Sequence, residues 1–200
     1  SGALAGTVQL FSKKGREGHN QNINISSGSF NTQKFDLSFD GKNDYYDYFI
    51  GYTNFASDGE SAMRDNAEKD GYRSDTLTMN YGYNLNDNFR LENYLFYNDS
   101  LLEYDSVNKS QNDIEATDDQ QAIYTARLIN TKGNFKNTLS YNNTYVLRNV
   151  TGNSKKNYYG YRDAINFVSE YNFDLDNRII FGLDNEFDKA ELYNYYTGSS

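Results

Sequence analysis

The chain has 200 residues, no cysteine, proline or tryptophan, and a formal net charge of −9. That composition excludes a disulfide framework and thiol chemistry, and it leaves no basic stripe to neutralise nucleic-acid phosphates. Only 37% of the residues are hydrophobic, lean for a packed soluble core, and no run approaches the roughly 18 apolar residues of a membrane helix.

From Lys34 onward, apolar and polar residues alternate with period two. Phe35, Leu37 and Phe39 lie on one face, with Lys34, Asp36, Ser38 and Asp40 on the other. A short turn, Gly41-Lys42-Asn43-Asp44, leads to Tyr46, Tyr48, Ile50 and Tyr52, then to a long polar stretch from Ser57 to Gly71. A fourth strand carries Leu77, Met79, Tyr81, Tyr83 and Leu85. After the turn Asn84-Leu85-Asn86-Asp87-Asn88 come Leu91, Leu95 and Tyr97, interrupted by Asn93. A second long stretch, Asp105 to Gln120, precedes Tyr124, Ala126 and Leu128. The turn Thr131-Lys132-Gly133-Asn134 leads to Leu139, Tyr141, Tyr145 and Leu147. A third long stretch, Asn149 to Asn157, is followed by Ile165, Phe167, Tyr171 and Phe173. The turn Asp174-Leu175-Asp176-Asn177 then opens a strand with Ile179, Phe181, Leu183 and Phe187, and Leu192 to Ser200 reads as another long loop.

Successive side chains of a strand point to opposite faces, so each segment has one apolar and one wet face. We count about nine strands, many longer than the ~9–11 residues that a tilted membrane strand needs. Short Asn-, Asp- and Gly-rich turns at one rim and long loops at the other are how outer-membrane barrels are built. Tyrosine, with 20 copies against 13 Phe, suits both a membrane interface and a wet lumen. The expected fold class is all-β: an antiparallel up-and-down transmembrane β-barrel.

The opening residues, Ser1-Gly2-Ala3-Leu4-Ala5-Gly6-Thr7-Val8-Gln9-Leu10-Phe11-Ser12-Lys13-Lys14-Gly15, resemble the end of the plug domain of a TonB-dependent outer-membrane receptor. The pattern is a small-residue turn, a glycine, a short apolar strand, then a hydroxyl residue and a base, just before the first barrel strand. Gln9 stands where Asn is common, and Ser12 where Thr is common. The resemblance implies that residues 1–15 are the last strand of a plug and residues 16–200 the first part of a barrel, about nine of roughly 22 strands. With no signal peptide before Ser1, the chain is expected to be a piece of a longer secreted protein. Implied with the family are a bacterial outer-membrane location and contact with outer-membrane lipid. Implied too is uptake of a scarce large nutrient, driven by TonB machinery through a plug segment outside this chain.

Within that family the chain is most similar to the vitamin B12 (cobalamin) receptor branch. Asp58 opens the second outer loop and Glu68-Lys69-Asp70-Gly71-Tyr72 closes it; Tyr104-Asp105 begins the third and Asp118-Asp119 ends it. The resemblance implies calcium ligands at Asp58, Glu68, Asp70, Tyr104 (through its carbonyl), Asp105 and Asp118. Glu68 replaces a more usual Asp. Calcium is a hard cation wanting six to eight oxygens, and two anionic loops would repel each other without a bridging cation. The alternative is that these carboxylates keep an exposed rim soluble or meet lipopolysaccharide through divalent ions.

His19, the single histidine, has no second His or Cys with which to share a metal. Lys13, Lys14 and Arg16 are expected on a solvated linker, with pairing to plug or barrel carboxylates as the alternative. Arg90, Glu92, Arg127, Arg178, Asp184 and Glu186 are expected to face the lumen as a charge ladder. No catalytic constellation is legible: no His stands by a nucleophile, and no glycine-rich phosphate loop is present, so an enzyme is not expected. Other readings are a siderophore or haem receptor of the same class, a passive porin-like barrel, or a soluble or surface-displayed β-rich binding protein.

Overall fold

The computed structural model describes residues 12–60, 69–105, 114–151, 155–174 and 177–195. The period-two segments are nine strands. They are β1 (Gly18–Gly28), β2 (Thr32–Lys42), β3 (Tyr46–Ser57), β4 (Tyr72–Asn86), β5 (Phe89–Asp105), β6 (Ile114–Lys132), β7 (Phe135–Thr151), β8 (Lys155–Asn172) and β9 (Arg178–Tyr195). Each pairs antiparallel with the next in sequence, giving one up-and-down sheet. The sheet is not closed: β1 and β9 are its two edges.

Side chains build the inner turns. Asn43 Oδ1 accepts from the amides of Tyr45 and Tyr46 at 2.9 Å each, and Asn86 Oδ1 from Asn88 and Phe89 at 3.0 Å each. Asp174 Oδ1 accepts from the Asn177 amide at 2.9 Å. A short side-chain acceptor thus stands in for a backbone carbonyl, as Asn and Asp do in tight turns. Between β6 and β7, Gly133 supplies a φ of 56°.

At the outer rim, the expected sorting of loops by length holds only in part. β1 and β2 are joined by a turn as tight as the inner ones, with Phe30 and Asn31 at φ of 57° and 53°. In the long stretch between β3 and β4, the described residues 58–60 and 69–71 lie outside strands. In the other two, the described residues are strand. β6 begins at Ile114, and Ala116–Gln120 pair with Asp99–Glu103; β7 and β8 stay paired out to Val150 and Lys156. Leu192 pairs with Tyr158, and β9 runs on to Tyr195. Beyond the apolar zone these strands are polar on both faces, so they read as loop. A backbone ladder needs only a neighbouring strand, not an apolar side chain.

Register fixes the faces. Phe39, Ile50, Met79, Leu95, Tyr124, Asn143, Asp163 and Phe187 form one continuous cross-strand row. Their face carries most of the large apolar side chains. The opposite face carries Asp40, Asp47, Asn80, Arg90, Glu92 and Arg127. Nothing in the described residues covers the apolar face: Ile25 is 76% exposed, Phe187 60% and Leu183 58%, and no large side chain is fully buried. Charge on this face, apart from Lys132 at the inner rim, is confined to the outer halves of the strands. Going outward, the first charged residues are Asp75, Asp99, Asp118, Asp163 and Lys189, each about ten residues or more from the inner end of its strand. β2, β3 and β7 carry none on this face.

Candidate functional site

At the inner end of the sheet, the polar face holds a charged network. Arg90 on β5 pairs with Asp47 on β3 and, through Nε, with Glu92 Oε1 at 3.1 Å; its Nη1 donates to Asn84 Oδ1 at 3.0 Å. Glu92 also takes Lys14 Nζ at 3.1 Å and Arg127 Nη1 at 3.3 Å. Gly82 makes room for the guanidinium, since a Cβ there would stand 1.9 Å from Arg90 Nη2. Further along, Arg178 Nη1 is 3.5 Å from Glu170, and Asp184 accepts from Asn166 Nδ2 at 2.7 Å.

All six residues expected on the lumen ladder, Glu186 among them, fall on this face by register. Asp47 and Glu170 were not anticipated, although strand parity alone would have placed both there. Lys14 and Arg16 are exposed, as on a solvated linker, and they also reach the strand carboxylates Glu92 and Asp40, at 3.1 and 2.7 Å. His19 lies within β1, its Nδ1 3.1 Å from the Tyr48 hydroxyl.

The outer rim brings some of the candidate calcium ligands near one another. Asp58 follows β3 directly; its amide donates to the Phe30 carbonyl at 2.9 Å and its Oδ2 lies 3.0 Å from Lys69 Nζ. The Lys69 hydrogen bond holds the Asp58 carboxyl below its ordinary range. Asp70 passes close to Gly59, where a Cβ would stand 1.9 Å from the Asp70 carbonyl oxygen. Gly71 accepts from the Glu103 amide at 2.9 Å, tying the second loop to β5 one residue before Tyr104.

The set does not converge beyond this. Tyr104 lies on the polar face, with Thr117 Oγ1 3.4 Å from its hydroxyl. Asp118 is opposite Leu101 and therefore stands on the other face, near Asp99. Burial, then the charges of Asp99 and Asp119, push its carboxyl above the ordinary range. Glu68 and the side chain of Asp105 lie outside the described residues. Among the described residues, no three of His, Cys, Asp and Glu group as a metal would require. The cation that meets Asp58 is the Lys69 ammonium. Glu103 and Arg73, which no loop motif singled out, line a polar cleft of about 390 Å³ together with Asn31, Ser57, Asp58 and Lys69.

On the apolar face, tyrosines meet the first carboxylates. Tyr52 donates to Asp75 at 2.5 Å, Tyr97 to Asp99 at 3.3 Å and Tyr141 to Asp163 at 2.7 Å; Tyr161 also donates to Asp163. An apolar ring below and a bonded hydroxyl above mark a boundary between an apolar and a wet zone. No protein-family model matches the chain, and no curated protein matches it either.

Proposed function

We propose that this sheet is part of the wall of a bacterial outer-membrane β-barrel, and that the barrel is a TonB-dependent receptor importing a scarce large nutrient, with cobalamin as the first cargo to test. The observation that carries the membrane reading is the charge-free band on one face. About ten residues at ~3.3 Å each, tilted by ~45°, span about 23 Å, close to the ~25 Å apolar girdle of outer-membrane barrels. Lipid covers that face, and the polar face lines the interior.

Two features favour a receptor over a passive porin. The chain before β1 crosses the polar face instead of leaving it open, as a plug's connection to its barrel would. The outer ends of β4–β9, strands of 15 to 19 residues, extend past the apolar band and raise a platform above the membrane. Binding specificity then belongs to these hairpin tips and to the plug, while energy comes from the inner membrane. No step of uptake is assigned to calcium.

The test is binding of cyanocobalamin to the full-length receptor in detergent, with and without calcium. Saturable binding supports cobalamin as cargo. A loss on chelation, repeated in an Asp70→Ala, Asp105→Ala variant, would restore the loop-cluster reading against the arrangement described above. No binding in either condition moves the cargo to a siderophore or haem.

A further inference from the structure

Two buried polar groups near the inner rim, Asp40 and Asn80, meet the segment that precedes β1. Asp40 is 4% exposed and Asn80 9%, and Phe49 beside them is one of only two buried apolar side chains in the described residues. Asn80 Nδ2 donates to Ser12 Oγ and to the Lys13 carbonyl, both at 2.9 Å. The Lys13 ammonium stands 5.8 Å from the centre of the Phe49 ring. Asp40 Oδ2 accepts from the Arg16 amide and from its Nε, at 3.0 Å each, while Oδ1 takes Nη2 at 2.7 Å. Gly15 lies so near the wall that a Cβ would be 2.0 Å from the Gly41 carbonyl oxygen and 2.7 Å from that of Tyr48.

These contacts amount to a groove built for a peptide backbone. Four strands contribute to it: β2 through Asp40 and Gly41, β3 through Phe49, β4 through Asn80 and β5 through Glu92. Were the segment to float free, Asp40 would keep only the 3.3 Å hydrogen bond from Asn20 Nδ2 and Asn80 Nδ2 would lose both its acceptors, and a buried polar group short of partners is costly. The glycine is a steric requirement, because any side chain at residue 15 would lift the backbone off the wall.

We propose that Ser12–Arg16 is an anchor, a peptide segment seated in the groove on the polar face of β2–β5. It fixes at this wall whatever precedes Ser12 and stays seated when that upstream part moves. The proposal rests on reading this face as the barrel interior; it does not depend on the cargo. Under an uptake mechanism, motion of the plug would then pivot before Ser12, leaving the start of β1 undisturbed.

Hydrogen exchange on the full-length protein in detergent tests this, in native buffer and in urea raised until residues before Ser12 lose protection. The Arg16 backbone amide, which Asp40 accepts, should stay protected through that transition. In Asp40→Ala it should exchange roughly 10- to 100-fold faster, while the β7–β8 hairpin is unchanged. Exchange at the rate of an unstructured peptide in the wild-type protein, loss of protection together with the upstream residues, or an unchanged rate in Asp40→Ala would overturn the proposal. If Asp40→Ala fails to fold, a Ser12→Cys, Asn80→Cys pair decides it: the anchor requires a disulfide to form on mild oxidation, and its absence sinks the idea. Protection reports on the backbone alone, so a failure to bind cobalamin leaves the result intact.

Discussion

Asp58 and Asp118 both belong to the acidic outer rim, yet their surroundings push them in opposite directions. Asp118 is half-buried and faces Asp99, so its folded pKa is raised. Such a carboxyl opposes folding above its folded pKa, and that opposition fades as pH falls toward the unfolded value of about 3.9. Asp58, held low by Lys69, favours folding above its unfolded pKa, and this contribution is lost as pH falls through the lowered folded value. Asp99→Asn should therefore raise the thermal midpoint of the full-length protein at neutral pH and flatten the gain seen on acidification to pH 5. Lys69→Met should instead remove part of the loss below pH 4. Melting scans from pH 7 to pH 3 separate the two; an Asp99→Asn profile parallel to wild type would refute the assigned repulsion. Residue-scale legibility at the rim was correspondingly partial. Tyr104 and Asp118 stand on opposite faces, which could not be read while Asp105 to Gln120 looked like loop, and nothing in the spacing foretold that Lys69 would take Asp58.

At the scale of single elements, glycines on one face behave differently according to what stands opposite. Gly82 and Gly160 are both strand glycines on the polar face. A Cβ on Gly82 meets Arg90 Nη2 at 1.9 Å, whereas a Cβ on Gly160 finds only Val146 Cβ at 3.8 Å. Gly82→Ala should displace the guanidinium from Asp47, a pair whose side chains are 24% and 11% exposed, and cost about 1–3 kcal/mol. Gly160→Ala should be neutral or stabilising by about 0.5 kcal/mol, because an interior strand glycine carries an entropic cost. Equal midpoints for the two variants would show that Arg90 does not depend on Gly82.

The strands themselves were legible wherever one face is apolar and the other polar, because alternation is visible only when the two faces differ. β2 to β5 read clearly on Phe35, Tyr48, Met79 and Leu95. The outer parts of β6, β7 and β9 did not, since Ala116–Gln120 and Asn149–Thr151 are mainly polar on both faces. The tight turn at Phe30 and Asn31 was missed although Gly28, Ser29 and Asn31 are all turn-forming types. Pairing partners settle these stretches, and partners lie far away in the sequence.

At the scale of the whole molecule, an apolar face that no second layer covers among the described residues is the decisive property. A sheet must bury such a face against something, and the two unpaired edges β1 and β9 are templates for association. Residues 12–195 expressed alone should accordingly precipitate or form large aggregates without detergent or lipid; a monomer soluble in plain buffer would defeat the membrane reading. The position of the band is open to a sharper test. Leu95 lies midway along the charge-free part of β5, and Glu103 beyond Asp99 lies above it on the same face. An arginine at the midplane of an outer-membrane barrel costs about 2–4 kcal/mol, falling to about 0–1 kcal/mol near the interface. Leu95→Arg should lower the folding free energy of the full-length barrel in lipid vesicles by the larger amount, and Glu103→Arg by the smaller. A matching pair on β8, Phe167→Arg within the band and Asn157→Arg above it on the same face, should repeat the contrast on another strand. Equal penalties at Leu95 and Glu103 would mean that the face is covered by protein and not by lipid. The whole transport proposal would then give way to a β-rich binding protein with a second layer.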